Sequence, residues 1–483
     1  LVKVVFGESP QVSEHTTVII GAGPAGLAAG YELASNGRHV VVIEKDSVVG
    51  GISRTISRNG FRFDVGGHRF FTKFARVQGL WQQVLPEQFL QRKRLSRIYY
   101  NGRFFDYPLR LGNVLWGLGF FTSAAVAASF LAGKLRPYPQ EDTLEQWVSN
   151  RFGKKLFEIF FKGYTEKVWG IDCSQIRAEW AAQRIRGLSL ASAVKTALIG
   201  DRDQKIRTLI QQFDYPRLGP GQVYETMAEK VRQMGGQVLL QHRADKLLTE
   251  QDRVVAVEVV AAGGARKTIP AVEVLSSMPI DELAAALSPP APANVLGAAG
   301  GLSYRSLLTV NLMMRCRQEL PDTWVYIHSP QIRAGRVQFF SNWSPYMVPD
   351  ENCSSLGLEY FCTEGDGLWG SPDQQLIELG IGEAVRLRMV QREAVFDAFV
   401  VRMPRTYPVY SIDSGRHLET IKGHLSGLKN LQCIGRNGMF KYNNMDHSIL
   451  SGLWAADNIR LQAGLDLWSI NTEQQYYEQA QSS

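Results

Sequence analysis

The stretch "TTVIIGAGPAGLAAGYELASNGRHVVVIEK", residues 16–45, constrains this chain more than any other. An apolar run of strand length meets a cluster of glycines, a helical pattern of small and apolar residues follows, and a second β-branched run ends at Glu44. Strand, helix and strand within about thirty residues make a βαβ unit, which commits this part of the chain to a parallel sheet. Each glycine has its own reason. Gly21 permits the tight turn, Gly23 lets the backbone approach a pyrophosphate, and Gly26 lets the helix pack closely on the strand. The helix opens at Pro24 and Ala25, where free N–H groups and the positive end of the dipole suit an anion. Glu44, followed by Lys45, stands at the end of the second strand, where an acid can accept from ribose hydroxyls. The reading is a dinucleotide site on a Rossmann-like α/β domain.

Length then sets the frame around that site. At 483 residues and 45% hydrophobic content the chain can bury a large core and divide into two or three domains. Five cysteines (Cys173, Cys316, Cys353, Cys362 and Cys433) are an odd number, and no pair has the C-x-x-C spacing of a zinc or dithiol site. No secretory pattern opens the sequence, so a reducing, cytoplasmic location is expected. No metal is expected either, because no zinc-ligand spacing, H-E-x-x-H, P-loop or serine-hydrolase elbow is present. A formal charge of +7 suits an anionic ligand or a membrane surface, while no nucleic-acid module is recognisable.

Residues 111–133, "LGNVLWGLGFFTSAAVAASFLAG", are uncharged and flanked by Arg110 and Lys134. The run is long enough to cross a bilayer. Gly, Ser, Thr and Ala dilute it, and both flanks must fold into one enzyme, so it is expected as a helical surface or core element. Peripheral membrane contact through the same segment stands as a partner reading. Further on, Leu156, Ile159 and Phe160 recur at helical spacing, and "VVAVEVVAAGGARKTIPAVEVL" alternates as a hairpin would. "SLLTVNLMM", "GRVQFF" and "LGLEYFC" read as strands of a β-rich region.

Downstream of Glu44, "KDSVVGGISRTISRNGFRFDVGGHRFFT" supplies Gly50, Gly51, Gly66, Gly67, Arg54 and His68. This start resembles that of the amine oxidase superfamily, whose second glycine pair follows the ribose-binding acid and whose "GGH" turn runs beside the flavin ring. "FKGYTEKVWG", "YPLRL", "LSYRSL" and "GRNGMFKYNNMD" resemble stretches of the UDP-galactopyranose mutase family and of the bacterial protoporphyrinogen-oxidase-like flavoproteins grouped near it. The resemblance runs from Thr17 to about Ile459 and so covers nearly the whole chain.

The resemblance implies FAD as cofactor. It also implies a discontinuous FAD-binding domain of residues 15–75, 216–298 and 428–465, a mainly helical domain of 76–215, a β-rich substrate domain of 299–427 and a tail of 466–483. As cofactor contacts it carries over Gly21, Gly23, Pro24, Ala25, Gly26, Glu44, Lys45, Gly51, Ile52, Gly67, His68, Gly435, Arg436, Asn444 and Met445. Arg110, Trp169, Arg184, Arg305, Tyr407 and Tyr442 become the substrate set, with Arg305, Tyr442 and His68 as the catalytic candidates. Three departures from the mutase pattern stand out: Phe71 where a second histidine is expected, Arg110 in place of an asparagine, and Asn444 in place of an aspartate before Met445. Two functions follow. One is mutase-like, with reduced flavin acting on a nucleotide diphosphate sugar; the alternative is an oxidoreductase of the protoporphyrinogen or amine oxidase type taking a hydride from an apolar substrate.

Overall fold

The computed structural model describes residues 16–107, 109, 111–178 and 212–472. Two of the expected site residues, Arg110 and Arg184, lie outside the described residues. The chain divides into two compact units, each assembled from separated segments: residues 1–51, 224–300 and 419–467 form the first, and 52–223, 301–418 and 468–483 the second.

The first unit is built on a five-stranded parallel sheet in the order Leu431–Cys433, Glu273–Ser276, Thr17–Ile20, Val40–Ile43, Gln237–Leu239. Thr17–Ile20 lies at its centre, with Thr17 in register with Val40 on one side and Glu273 on the other. All four residues of both Thr17–Ile20 and Val40–Ile43 are buried, as expected for parallel strands covered on both faces. The helix Pro24–Ser35 follows the first strand, and the C-terminal helix Met445–Leu461 packs against it. Gly452 makes that approach possible, since a Cβ there would sit 2.1 Å from the Ala25 carbonyl oxygen. A smaller sheet contains the expected hairpin, Arg253–Ala261 paired antiparallel with Arg266–Pro270.

The second unit is dominated by a seven-stranded mixed sheet in the order Val395–Pro408, Tyr304–Met314, Ser354–Cys362, Arg336–Phe339, Trp324–Ile327, Ser96–Tyr100, Arg103–Asp106. Its core gathers Leu308, Val310, Leu312, Val325, Val337, Leu356 and Leu358, all fully buried. Residues 96–106, placed by the sequence reading in a helical domain, donate two strands to this sheet; Ser96–Tyr100 pairs in parallel with Trp324–Ile327. That backbone pairing is why the helical and β-rich regions form one unit. The helix Gly163–Trp169 follows a π-helical turn, Glu158–Lys162. Leu156, Ile159 and Phe160 just upstream are buried, as their spacing requires.

Candidate functional site

In the first unit the glycine turn forms as the sequence demands. Gly21 adopts φ +98°, a conformation open chiefly to glycine, and a Cβ on Gly26 would lie 1.9 Å from the Gly21 carbonyl oxygen. Gly23 is the N-cap of Pro24–Ser35, and no side chain caps that end, which leaves the first N–H groups of the helix to an anion. Gly51 comes within van der Waals reach of Gly23, because a Cβ on Gly51 would stand 3.4 Å from the Gly23 Cα. The two glycine pairs therefore line one narrow place, with Ala25 buried behind it. Glu44 is buried and accepts from the Ala22 N–H at 2.8 Å and the Asp46 N–H at 3.0 Å. Those two bonds lock the carboxylate at the sheet edge beside the turn, while Lys45 is exposed.

The C-terminal stretch closes on the same turn. Gly435, at φ +76°, lies close enough to Ala25 that a Cβ would be 3.1 Å from the Ala25 Cβ. Asn443 holds the loop by donating to the Gly435 carbonyl at 3.1 Å, and Arg436 donates from Nε to the Asn443 carbonyl at 2.9 Å. The Arg436 guanidinium lies 4.8 Å over the Tyr442 ring. Lys441 is pushed down to about 8, first by burial and further by Lys422, against the pull of Asp466 and Glu419. Asn444 is the N-cap of Met445–Leu461 and forms a capping box with His447, and Met445 is the first, buried residue of that helix. Gly21, Gly23, Gly26, Glu44, Gly51, Gly435, Arg436, Tyr442, Asn444 and Met445 thus all belong to this unit.

In the second unit Ile52 and His68 are joined. His68 Nε2 lies 2.9 Å from the Ile52 carbonyl oxygen and 3.0 Å from that of Val65, so the ring ties two turns together. Gly67 is explained by crowding: a Cβ would fall 2.7 Å from the Trp324 ring and 2.9 Å from Gln338 Nε2. Gln338 Nε2 donates to Glu359 at 2.5 Å, Arg336 Nε donates to the same carboxylate at 2.9 Å, and Arg336 Nη2 reaches the Tyr407 hydroxyl at 3.1 Å. Glu359 is buried in mid-sheet, so its charge needs these donors. This Arg336–Glu359–Gln338–Tyr407 layer was invisible in the sequence apart from Tyr407. Alternation marks which strand face is inward but not which facing strands meet.

Arg305 is the residue whose surroundings differ most from the expectation. Its guanidinium donates to Thr363 Oγ1 (2.5 Å), the Phe361 carbonyl (2.7 Å), the Val168 carbonyl (3.3 Å) and the Lys167 carbonyl (3.4 Å). It clamps the carboxyl end of Gly163–Trp169 to the strand Ser354–Cys362, a favourable place for a cation. Gly170 ends that helix in the left-handed conformation directly against the guanidinium. Trp169 is buried 6.2 Å from the Tyr410 ring, and Tyr407 pairs with Arg305 across the strands. Trp169, Arg305 and Tyr407 are therefore neighbours, as one site would need.

A tyrosine cluster not singled out from the sequence completes this unit's polar surface. Tyr107 and Tyr326 have ring centroids 4.8 Å apart, Tyr164 meets Tyr326 at 5.7 Å, and the Arg94 guanidinium is 5.4 Å from the Tyr107 ring. All three tyrosines are half-buried. His328 stacks on Tyr164 at 4.6 Å and 6°. Burial, with help from Lys167, pushes that imidazole down to about 3, so a neutral ring backs the tyrosine. Lys167 in turn donates to the Ile327 carbonyl at 3.0 Å and the Ile332 carbonyl at 2.8 Å, anchoring the helix that carries Tyr164.

A parallel-sheet nucleotide unit with an uncapped glycine turn and a buried acid, and a mixed-sheet unit with a buried glutamate and half-buried arginines and tyrosines, define a dinucleotide-dependent enzyme of the flavoprotein class. The chain belongs to the flavin-containing amine oxidoreductase family, whose model matches residues 24–460. It is similar to the crystal structure of reduced UDP-galactopyranose mutase, with a TM-score of 0.81 and 22% identity over 95% of this chain and 96% of the other. A protein from Exiguobacterium sp. 255-15 assigned as a protoporphyrinogen oxidase shares the fold, with a TM-score of 0.68 and 18% identity over 93% of this chain and all of that one. In sequence, a probable UDP-galactopyranose mutase from Klebsiella pneumoniae is 27% identical over 174 residues, 35% of this chain and 44% of that protein. The match thus spans under half the length of that relative.

Proposed function

We propose that the chain binds FAD and acts in the mutase manner on a nucleotide diphosphate sugar. The observation that carries the substrate class is the half-buried Tyr107–Tyr164–Tyr326 cluster with Arg94 over one ring. Half-buried aromatic rings, tilted at 41° and edge-on at 88° to one another, beside an arginine suit a base and an anion.

For the cofactor, the residues fit a diphosphate and a ribose. Gly23 leaves room for the diphosphate at the uncapped helix end, with Gly21 and Gly26 closing the turn against Ser277 and the first strand, and Glu44, fixed by the Ala22 and Asp46 N–H groups, takes the place of the ribose-binding acid. Gly435 and Arg436 form the other wall of that place in the same unit. Bound FAD, in its reduced form, supplies the nucleophile that the anomeric carbon requires. Tyr164, backed by neutral His328, holds the base. Tyr407, in hydrogen bond to Arg336, orients the sugar. Arg305 positions the Trp169 end of its helix rather than the phosphate itself.

The exposed apolar segment after residue 111 favours the second reading, a flavin-dependent oxidoreductase with an apolar substrate. Titration of the flavin-loaded protein with UDP separates the two. The parent should bind UDP, and Tyr164→Ala should weaken binding about tenfold or more, since base–aromatic stacking contributes roughly 1–3 kcal/mol. Absence of UDP binding in the parent overturns the nucleotide-sugar reading.

A further inference from the structure

Two helices of the second unit carry their apolar residues outward. Leu111–Leu118 and Phe120–Leu135 are joined at Gly119 and rooted firmly at one side. Asn113 Oδ1 accepts from the Asp106 N–H at 2.9 Å, Arg103 donates to the Gly117 carbonyl at 2.7 Å, and Ser129 Oγ accepts from the Lys155 N–H at 2.9 Å. Gly153 packs so tightly beneath that a Cβ would meet the Phe130 backbone at 2.7 Å. Val114 and Val126 are buried in this contact. The opposite face is unlike an ordinary protein surface. Trp116 is 89% exposed, Phe120 82%, Phe121 86%, Leu131 61% and Leu135 83%. Every exposed position of the longer helix from residue 120 to residue 132 is Phe, Ala or Leu.

We propose that this helix pair is a lipid-docking surface, with Phe120–Leu135 lying along the face of a bilayer. Three aromatic side chains at ~150–250 Å² each already reach the few hundred Å² that a soluble monomer's largest patch usually shows, and the alanines extend it. A protein partner would be expected to find about one hydrogen bond per 100–200 Å², yet from residue 120 to residue 132 the exposed side chains offer no donor or acceptor, and the Trp116 indole N–H is the one donor beside them. Hydrocarbon asks for none. Trp116 at the turn is the residue type enriched at membrane interfaces. At the other end of the face, exposed Lys134 and Arg136 close the helix, and exposed Lys154 follows Gly153 on the helix beneath. These cations suit anionic headgroups, as does the net charge of +7. The contact is peripheral, because the longer helix has 16 residues and none of the described helices is long and apolar enough to cross a membrane. The inference does not depend on which substrate the enzyme takes.

Flotation of the flavin-loaded full chain with vesicles of phosphatidylcholine, alone or mixed with phosphatidylglycerol, tests it. The parent should float with the mixed vesicles. The triple variant W116S/F120S/F121S should bind at least about tenfold less while keeping its flavin absorbance, given what burial of three aromatic side chains contributes. K134E/R136E should lose the preference for the anionic lipid. Vesicles with brominated acyl chains should quench tryptophan emission of the parent, and less so of W116F. Failure of the parent to float with either vesicle overturns the proposal, as does equal flotation of the triple variant. Light scattering that shows a parent dimer split by the triple substitution would assign the face to a second copy of the chain and overturn it as well.

Discussion

Asp64 shows how far one residue's environment can depart from its type. It is fully buried at the end of Phe61–Asp64, accepts from Thr55 Oγ1 at 2.8 Å, and is bonded by the Tyr215 hydroxyl. Burial raises its carboxyl from 3.8 to about 7, against the lowering effect of those two hydrogen bonds. Below about pH 4 the folded and unfolded chains both hold the proton; between about 4 and 7 only the folded chain does; above 7 neither does. Stability therefore declines as pH rises through that window, by on the order of 4 kcal/mol if the full difference is expressed. Asp64→Asn should flatten the decline, measured as denaturant midpoint against pH, whereas an unchanged slope would place the titrating group elsewhere. Arg305 allows a second test at this scale. Its four bonds join a helix end to a strand, so Arg305→Ala should lower stability by roughly 1–3 kcal/mol, read by denaturant unfolding, because three charge-assisted bonds to half-buried carbonyls and one to the exposed Thr363 hydroxyl are lost together. A variant of full stability with weakened UDP binding would return Arg305 to the substrate. The glycines make the third. Gly23→Val should yield colourless protein, since the residue stands where the diphosphate must approach; full flavin absorbance would contradict that placement.

At the scale of elements, the departure at Asn444 is explained by the helix it opens. Asn and Asp are comparable N-caps, so the substitution relative to the mutase pattern leaves the cap of Met445–Leu461 intact. Asn444→Ala should cost about 1 kcal/mol of stability and Asn444→Asp almost none, by thermal unfolding. The sequence told most about local elements of this kind. The βαβ unit, the hairpin after Arg253 and the three strands of the large sheet were legible because glycine turns and alternation are local signals. Less legible was everything made by pairing at a distance. Nothing in "LSRIYYNGRFFDY" says that its strands join Trp324–Ile327, more than two hundred residues on, and the separation of helical from β-rich domains failed to foresee that pairing. The same holds for the site. Glycines and Glu44 announce themselves by spacing, but Arg336, Glu359 and the tyrosine cluster meet only once strands from four parts of the chain align. The outward apolar face of Phe120–Leu135 was visible as composition, and its direction was not.

For the whole molecule, the nucleotide-binding unit is sewn from three separated segments, with Glu273–Ser276 and Leu431–Cys433 completing the sheet begun at Thr17. A ligand that touches the first and last of those segments should report on the fold of all three. Resupplying FAD to flavin-depleted protein should raise the melting temperature, by an amount that grows with the logarithm of its concentration over Kd. The measurement that tests the central claim most directly is turnover of a nucleotide-sugar panel by the purified enzyme under anaerobic conditions, oxidised against dithionite-reduced, with oxygen uptake followed in a parallel aerobic run. A mutase-like flavoenzyme should isomerise one of the nucleotide sugars only when reduced, with no oxygen consumed per product formed. Oxygen uptake coupled to an apolar amine or porphyrinogen, with every nucleotide sugar untouched in both redox states, would contradict it.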